Sequence, residues 1–138
     1  MIQFFYENLA ESVNTDYTKW LEEIILSEEK KLGDINYIFC DDDYLLQLNE
    51  QYLDHDTLTD IISFDYSVGN ELHGDIYISI ERVFDNALDF AVSTDEELRR
   101  VMAHGILHYC GFKDKEETDT ALMRQKEDEK IAMFHVEP

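Results

Sequence analysis

Proline and glycine are scarce in this sequence. Its only proline is the last residue, and five glycines are spread over 138 positions. No internal repeat, low-complexity segment or linker-like run divides the chain. Because 44% of the residues are apolar, the chain has enough of them to fill one hydrophobic core. We therefore expect a single domain over residues 1–138.

Long apolar runs and secretory features are also missing. No run approaches the roughly 20 residues that a membrane helix needs. The first seven residues lack the basic start and the small-residue cleavage site of a secretory signal. The two cysteines, Cys40 and Cys110, form no Cys-x-x-Cys pair, which indicates free thiols in a reducing compartment. These absences predict a cytoplasmic protein that does not contact membranes.

Basic residues are few, with 11 Lys and Arg against 32 Asp and Glu, and the formal net charge is −21. This balance disfavours nucleic-acid binding, since phosphate affinity normally comes from Lys and Arg. Two arrangements would still permit it: a local cluster of basic residues, or a positively charged partner that holds the nucleic acid. The residues available for such a cluster, unless they are scattered solvent contacts, are Arg99, Arg100, Lys113, Lys115 and Arg124.

The hydrophobic pattern predicts an α+β fold, with a small mixed four-stranded sheet packed against about five helices. In the first predicted helix, Tyr17 and Trp20 are expected in the core, Lys30 and Lys31 occupy the last turn, and Gly33 is the stop. Strands are predicted at 2–6, 35–40, 60–66 and 74–80, and helices at 15–31, 42–53, 81–91, after Ser93, and 119–134.

Local signals fix several of these boundaries. The acidic run at 41–43 is expected to cap the helix that follows it, in preference to binding a hard cation such as Mg²⁺. Ser93 and Glu96 form a capping box that opens the fourth helix. The turn signal at 67–70 makes the third and fourth strands neighbours.

Two histidines four residues apart, His104 and His108, lie in the fourth helix. This spacing stacks both imidazoles on one helix face, where they can bind one metal ion. Gly111 is expected to end the helix in a left-handed conformation, so that the chain turns back toward the ion with Asp114. Three protein ligands would leave a fourth position for water, as in catalytic zinc sites. A chance pair of histidines in the core or at the surface is the alternative.

Other residues near this motif are less suited to the chemistry. Metalloproteases of the H-E-x-x-H type carry a glutamate general base after the first histidine, whereas this chain has Gly105. Cys110 lies two residues after His108, so its side chain is expected to point away. His73, in a turn, and His135, in the tail, are expected to be exposed rather than ligands.

The motif resembles the signature of the YbeY family, His-Gly-x-Leu-His-x-x-Gly-[Phe/Tyr] followed by a ligand. Three further segments are similar to family segments in order and spacing, so that the resemblance covers about residues 49–114. These segments are Asn49-x-x-Tyr52, Thr59-Asp60-Ile61-Ile62-Ser63-Phe64 and Gly74-Asp75-Ile76-Tyr77-Ile78-Ser79.

The resemblance implies a zinc-dependent, single-strand-specific endoribonuclease that acts in ribosome biogenesis and in 16S rRNA 3′-end maturation. It implies an ion in a cleft between the late helix and the sheet. His104, His108 and Asp114 would be its ligands and would act through water activated at the ion. The implied partners are rRNA and a ribosomal subunit or ribosome-associated proteins, with no DNA.

Three departures from the family pattern bear on the site. Asp114 stands where the family usually has a third histidine, Lys113 where it has an aspartate, and Leu53 where it has an arginine. A carboxylate ligand lowers the net charge of the site, so bound water should be less acidic than with three histidines. Such a site also tolerates Fe²⁺ or Mn²⁺.

The sequence does not name the general acid or base. Asp75, Ser63 and Lys113 are the candidates, and Lys113 is also a candidate phosphate contact in place of the missing arginine. Two other functions stay open: a ribosome-assembly protein that cuts nothing, favoured by Leu53 and the acidity, and a metallohydrolase of another substrate class.

Overall fold

In the computed structural model, which describes residues 1–9, 17–53 and 59–134, four strands and five helices follow one another. The predicted α+β class is confirmed. The strands are β1 (Ile2–Tyr6), β2 (Lys31–Cys40), β3 (Ile61–Asp65) and β4 (Glu71–Ser79). The helices are α1 (Thr18–Ser27), α2 (Asp42–Leu53), α3 (Ile80–Phe90), α4 (Thr94–Tyr109) and α5 (Glu117–Ala132).

The four strands form one mixed sheet in the order β1-β2-β4-β3. β1 and β4 both pair with β2 in parallel, and β3 pairs with β4 antiparallel. A tight turn joins β3 to β4, in which Gly69 has φ +60° and Val68 exchanges two backbone hydrogen bonds with Glu71. The prediction that the third and fourth strands are neighbours in the sheet is therefore confirmed.

The two faces of the sheet bury different cores. Side chains alternate along a strand, so Tyr37 and Phe39 of β2 share the face that carries Ile76 of β4, against α1 and α4. Cys40 of β2 and Ile62 of β3 instead pack with Leu45 of α2 on the opposite face. Helix α4 is thus buried on the side of the larger core, and α5 packs on α4.

The predicted helix ends differ from the structure most clearly at α1. Gly33 is not its stop, and Lys30 and Lys31 do not lie in its last turn. The helix ends at Ser27, and the left-handed residue behind it is Glu29, with φ 59°. A glutamate in this conformation gives no glycine signal, so the sequence pattern extends the helix too far. The predicted start at residue 15 lies outside the described residues.

Gly33 belongs to β2, where the register shifts between Leu32 and Ile35. A Cβ atom at this position would lie 2.4 Å from the imidazole of His73 and 2.5 Å from a backbone oxygen of β4. The glycine therefore permits the close approach of two strands, and its role is steric rather than helix-terminating.

Other predictions are confirmed. Tyr17 and Trp20 are each 4% exposed, and both belong to the core. Asp41 caps α2 by accepting a hydrogen bond from the Tyr44 backbone at 2.9 Å. Ser93 caps α4 in the same way by accepting from the Glu96 backbone at 3.1 Å. None of the described helices combines the length and the apolarity that crossing a bilayer requires.

A buried lysine links α5 to the end of α1. Lys130 is 1% exposed, and its ammonium donates hydrogen bonds to Glu28 at 2.7 Å and to Ser27 at 2.8 Å. Lys126 also donates to Glu28, at 2.8 Å. Burial acts to raise the pKa of Glu28, but the hydrogen bonds from the two lysines outweigh it and hold that pKa below its ordinary value.

We expect Glu28→Ala to lower the free energy of unfolding by about 3 kcal/mol at neutral pH, because it removes the carboxylate nearest to the buried Lys130 ammonium. The folded-state pKa of Glu28 is lowered, so this stabilisation is present above the unfolded-state pKa and is lost as the pH falls through the folded-state value. Urea denaturation at neutral and acid pH measures the difference between the two proteins.

The matched control is Glu129→Ala, because the half-exposed Glu129 also pairs with Lys126 and Lys130, at 3.3 and 3.6 Å. An exposed pair contributes at most about 1 kcal/mol. Equal losses in the two variants, or a loss for Glu28→Ala that persists in acid, would contradict this account of the buried ion pair.

Candidate metal centre

Helix α4 is held rigidly because one side of it is embedded in the core. Ala103, Gly105, Ile106 and Leu107 are all buried. A Cβ atom on Gly105 would lie 2.9 Å from Ile76 on β4 and 3.3 Å from Ile61 on β3, so position 105 faces the sheet. A glutamate at position 105 would therefore point into the core and could not act as the general base of an H-E-x-x-H protease.

The two histidines lie on the neighbouring, partly exposed side of α4. Their rings are edge to face, and the two Nε2 atoms are 2.9 Å apart. Two imidazole nitrogens at this distance must share a proton or a cation, because their lone pairs would otherwise repel. The predicted stacking of His104 and His108 on one helix face is confirmed.

The chain after α4 returns to the histidines as expected. Gly111 has φ +103°, and the Phe112 backbone nitrogen donates to the Leu107 carbonyl, which closes the helix end. The Phe112 carbonyl then lies 3.0 Å from Nδ1 of His108. Two residues further on, Oδ2 of Asp114 is 3.2 Å from Nε2 of His104 and 3.3 Å from Nε2 of His108.

The three donor atoms fit a divalent metal ion. They are the only group of three or more potential His, Cys, Asp or Glu ligands that converges among the described residues, all within 4.8 Å of one another. Their separations of 2.9, 3.2 and 3.3 Å are close to the edges, about 3.3 Å, of a tetrahedron with ligand bonds of about 2.0 Å. Imidazole nitrogen and carboxylate oxygen are both ordinary zinc ligands.

The ring nitrogen of His104 that faces away from this group has a partner on α5. Nδ1 of His104 lies 2.7 Å from Oε2 of Glu127. Burial acts to lower the pKa of His104, but the hydrogen bond and the charge of Glu127 outweigh it, so the pKa is raised. Burial acts to raise the pKa of Glu127, but hydrogen bonds from His104 and Arg100 outweigh it, and the pKa is lowered.

A small cavity of about 190 Å³ lies beside His104, with acidic side chains in its wall. Burial raises the pKa of Asp60 and of Glu97, and each of these carboxylates also repels Glu127. The charge of His104 acts in the opposite direction on Asp60. A carboxyl group with a raised pKa beside a metal site is suited to proton transfer.

The residues suggested as acid or base lie in three different places. Since Ile76 faces α4, its neighbour Asp75 faces the other side of the sheet, where it accepts a hydrogen bond from Asn36 at 3.0 Å. Ser63 pairs with Ile76 and therefore shares the α4 face. Lys113 is exposed beside Asp114.

The suggested basic residues do not form one free cluster. Arg100 donates to Glu127 at 2.9 Å and to Asp128 at 2.7 Å, so two carboxylates already neutralise it. The guanidinium of Arg99 lies over the ring of Phe134, 4.5 Å from its centre. Of the five, Lys113, Lys115 and Arg124 are the more exposed.

The family model described as Endoribonuclease YbeY matches residues 4–135 of the chain. The chain belongs to the YbeY family.

Similar proteins agree with this assignment, and a solved structure shares the fold. The Endoribonuclease YbeY of Flavobacterium johnsoniae is 66% identical over 138 residues, which cover 99% of both chains. That of Christiangramia forsetii is 60% identical over 137 residues, covering 99% of this chain and 96% of its own. A Thermotoga maritima protein, solved in solution, has a TM-score of 0.72 at 28% identity and covers 96% of this chain and 88% of its own.

Other histidines and cysteines of the chain, where the structure describes them, do not belong to the donor group. His73 bonds to the Asp34 backbone and to Glu71, and Cys110 does not belong to the converging group. Cys40 and Cys110 are free thiols, as predicted. Position 53, where the family usually has arginine, ends α2, and His135 lies outside the described residues.

Sequence reasoning missed Asp60 and Glu127 as neighbours of His104. Glu127 lies in a helix dense with charged residues, and its pattern does not separate the one buried glutamate from the exposed ones. Asp60 lies in a segment that resembles a YbeY family segment. This resemblance was the only sequence signal for Asp60, and it did not indicate a role.

We expect Gly111→Ala to destabilise the fold by about 1–2 kcal/mol and also to weaken metal binding at the candidate site, because φ +103° is unfavourable for alanine and Asp114 lies just beyond it. Denaturation and metal competition measure the two effects. Gly69→Ala is the matched control, since Gly69 also has positive φ and no close neighbour. The control should lose stability only; equal metal affinity in both variants would contradict the role of Gly111.

Proposed function

We propose that this YbeY-family protein is a metal-dependent endoribonuclease that cleaves single-stranded RNA in rRNA processing, at the 3′ end of 16S rRNA. The observation that carries the proposal is the convergence of His104 Nε2, His108 Nε2 and Asp114 Oδ2 within 2.9–3.3 Å of one another. Three protein donors leave one position of a tetrahedral ion free for water or substrate, which is typical of catalytic sites.

Zn²⁺ suits this donor set, since two imidazole nitrogens and one carboxylate oxygen are ordinary zinc ligands and are spaced as in a tetrahedral site. When bound, the ion would polarise a phosphoryl oxygen and make its water more acidic. The carboxylate of Asp114 reduces the positive charge of the site, so this effect should be weaker than with three histidines.

The residues around the ion would orient it and handle protons. His104 and His108 hold their Nε2 atoms in place because α4 is fixed by the core and by Ser93 at its start. Asp60 lines the cavity beside His104, and burial raises its pKa, so we propose Asp60 before Asp75 as the group that exchanges a proton with the reacting water.

The charge of the chain bears on how RNA reaches the site. With a net charge of −21 and with Arg100 already paired to carboxylates, the protein has little to attract phosphates over a long range. We propose that the RNA is presented by a ribosomal subunit, and that Lys113, beside Asp114, makes a local phosphate contact. The ribosomal proteins would supply the positive charge.

The same acidity favours a second function, that of a ribosome-assembly factor that cuts nothing itself. In that case the three donors would hold a structural ion or none, and the contact with the ribosome would be what matters. Loss of one imidazole distinguishes the two functions. It should abolish RNA cleavage by a nuclease, which needs the open coordination position, and it should leave an assembly factor functional.

We expect His108→Ala to lose bound zinc, measured by elemental analysis, and to cleave single-stranded RNA at least about 100-fold more slowly, since one of three ligands is gone. The matched control is His73→Ala, which removes an imidazole that contacts Asp34 and Glu71 and does not belong to the donor group. Circular dichroism verifies that both variants are folded.

Cleavage that persists undiminished in folded, zinc-free His108→Ala would refute the metal-dependent nuclease. Wild-type protein that binds zinc but leaves RNA intact, while His108→Ala still supports ribosome maturation in cells, would favour the assembly factor.

A further inference from the structure

Each imidazole of the candidate metal centre has a partner on the nitrogen that faces away from the donor group. For His108 the partner of Nδ1 is the Phe112 carbonyl oxygen at 3.0 Å, which belongs to the ligand loop itself. For His104 it is Oε2 of Glu127 at 2.7 Å, which comes from a different helix, 23 residues later in the chain. The two histidines are thus held by a neutral acceptor and by a charged one.

Glu127 is not free to move away from His104. It is 5% exposed, and its other carboxylate oxygen, Oε1, accepts a hydrogen bond from Arg100 at 2.9 Å. Arg124, one turn before Glu127, also lies 3.7 Å from Oε1. Because Arg100 is one turn before His104 on α4, the same helix that carries the imidazole also anchors the carboxylate that contacts it.

These contacts determine which ring nitrogen can bind a metal. A neutral imidazole has one N–H and one lone pair, and the proton stays where an acceptor receives it. A carboxylate has only acceptor atoms, and Oε2 of Glu127 lies 2.7 Å from Nδ1 whereas Oδ2 of Asp114 lies 3.2 Å from Nε2. A neutral His104 therefore donates from Nδ1 and keeps the Nε2 lone pair directed at His108 and Asp114. The negative charge also makes Nε2 a stronger donor to a cation.

We propose that Glu127 is a positioning residue for the metal centre, fixing the ring orientation and tautomer of His104 while Arg100 holds Glu127 in place. This inference rests on the proposed metal-dependent function. It assigns α5 a role in the site although that helix carries none of the predicted ligands. A second contact also connects α5 to the donor group: Thr120, on the same helix, donates to the Asp114 backbone oxygen at 3.0 Å.

The test compares zinc affinity in Glu127→Gln, Glu127→Ala and Asp128→Asn. Asp128 is the matched control, because it lies next to Glu127 and accepts a hydrogen bond from Arg100 at 2.7 Å but contacts no histidine. Competition with a chromophoric zinc chelator measures the affinity. We expect a loss of about 10–100-fold for Glu127→Gln and Glu127→Ala, and little change for Asp128→Asn.

Nitrogen NMR of the histidine side chains provides a readout that does not depend on metal or activity. In the wild type we expect His104 to be the Nδ1–H tautomer whenever it is neutral. In Glu127→Ala the acceptor is gone, and we expect a mixture that includes the Nε2–H form, whereas His108 keeps its Nδ1–H tautomer because Nδ1 still faces the Phe112 carbonyl. A merely structural role for Glu127 would lower stability and leave the tautomer unchanged.

The outcomes separate this inference from the proposed function. Wild-type zinc affinity and an unchanged His104 tautomer in folded Glu127→Gln and Glu127→Ala would overturn the positioning role alone. Wild-type protein that binds zinc and cleaves no RNA would overturn the nuclease alone. A wild type that binds no divalent ion would overturn both.

Discussion

The site depends on a difference between two adjacent sides of helix α4. One side is buried against β3 and β4, where Gly105 approaches Ile76 and Ile61 so closely that a side chain would have to displace them. The adjacent side carries His104 and His108, whose positions are therefore fixed by the packing of the whole sheet. A rigid helix holds two donor atoms accurately without using binding energy to order them.

The two faces of the sheet separate two environments. The candidate metal centre lies with α4 and α5, where buried carboxylates and arginines surround His104. The opposite face, under α2, has a cleft of about 460 Å³ with aromatic side chains that include Tyr44, Phe64 and Tyr77. Because Asp75 belongs to that second face, sheet geometry rather than distance along the chain separates it from the donor group.

The fold class and the converging residues were predictable because they follow from short-range rules. Apolar runs, alternation, helical spacing and a capping box predicted the strands and helices that the described residues form, and a helix repeat of 3.6 residues places His104 beside His108. Boundaries were less predictable where the usual residue was absent. At the end of α1 the left-handed residue is Glu29, a type that rarely adopts this conformation, so the true stop gave no signal.

The sequence by itself determined the helix that pairs two imidazoles, the glycine that ends it and the acid beyond, since these depend on neighbours within one or two turns. Only the tertiary structure decided that Glu127 meets His104, that Asp60 lines the same cavity, and that Arg100 is already paired. Such contacts join residues far apart in the chain. In a sequence with 32 acidic residues, no local pattern distinguishes the few carboxylates that packing buries beside the histidines.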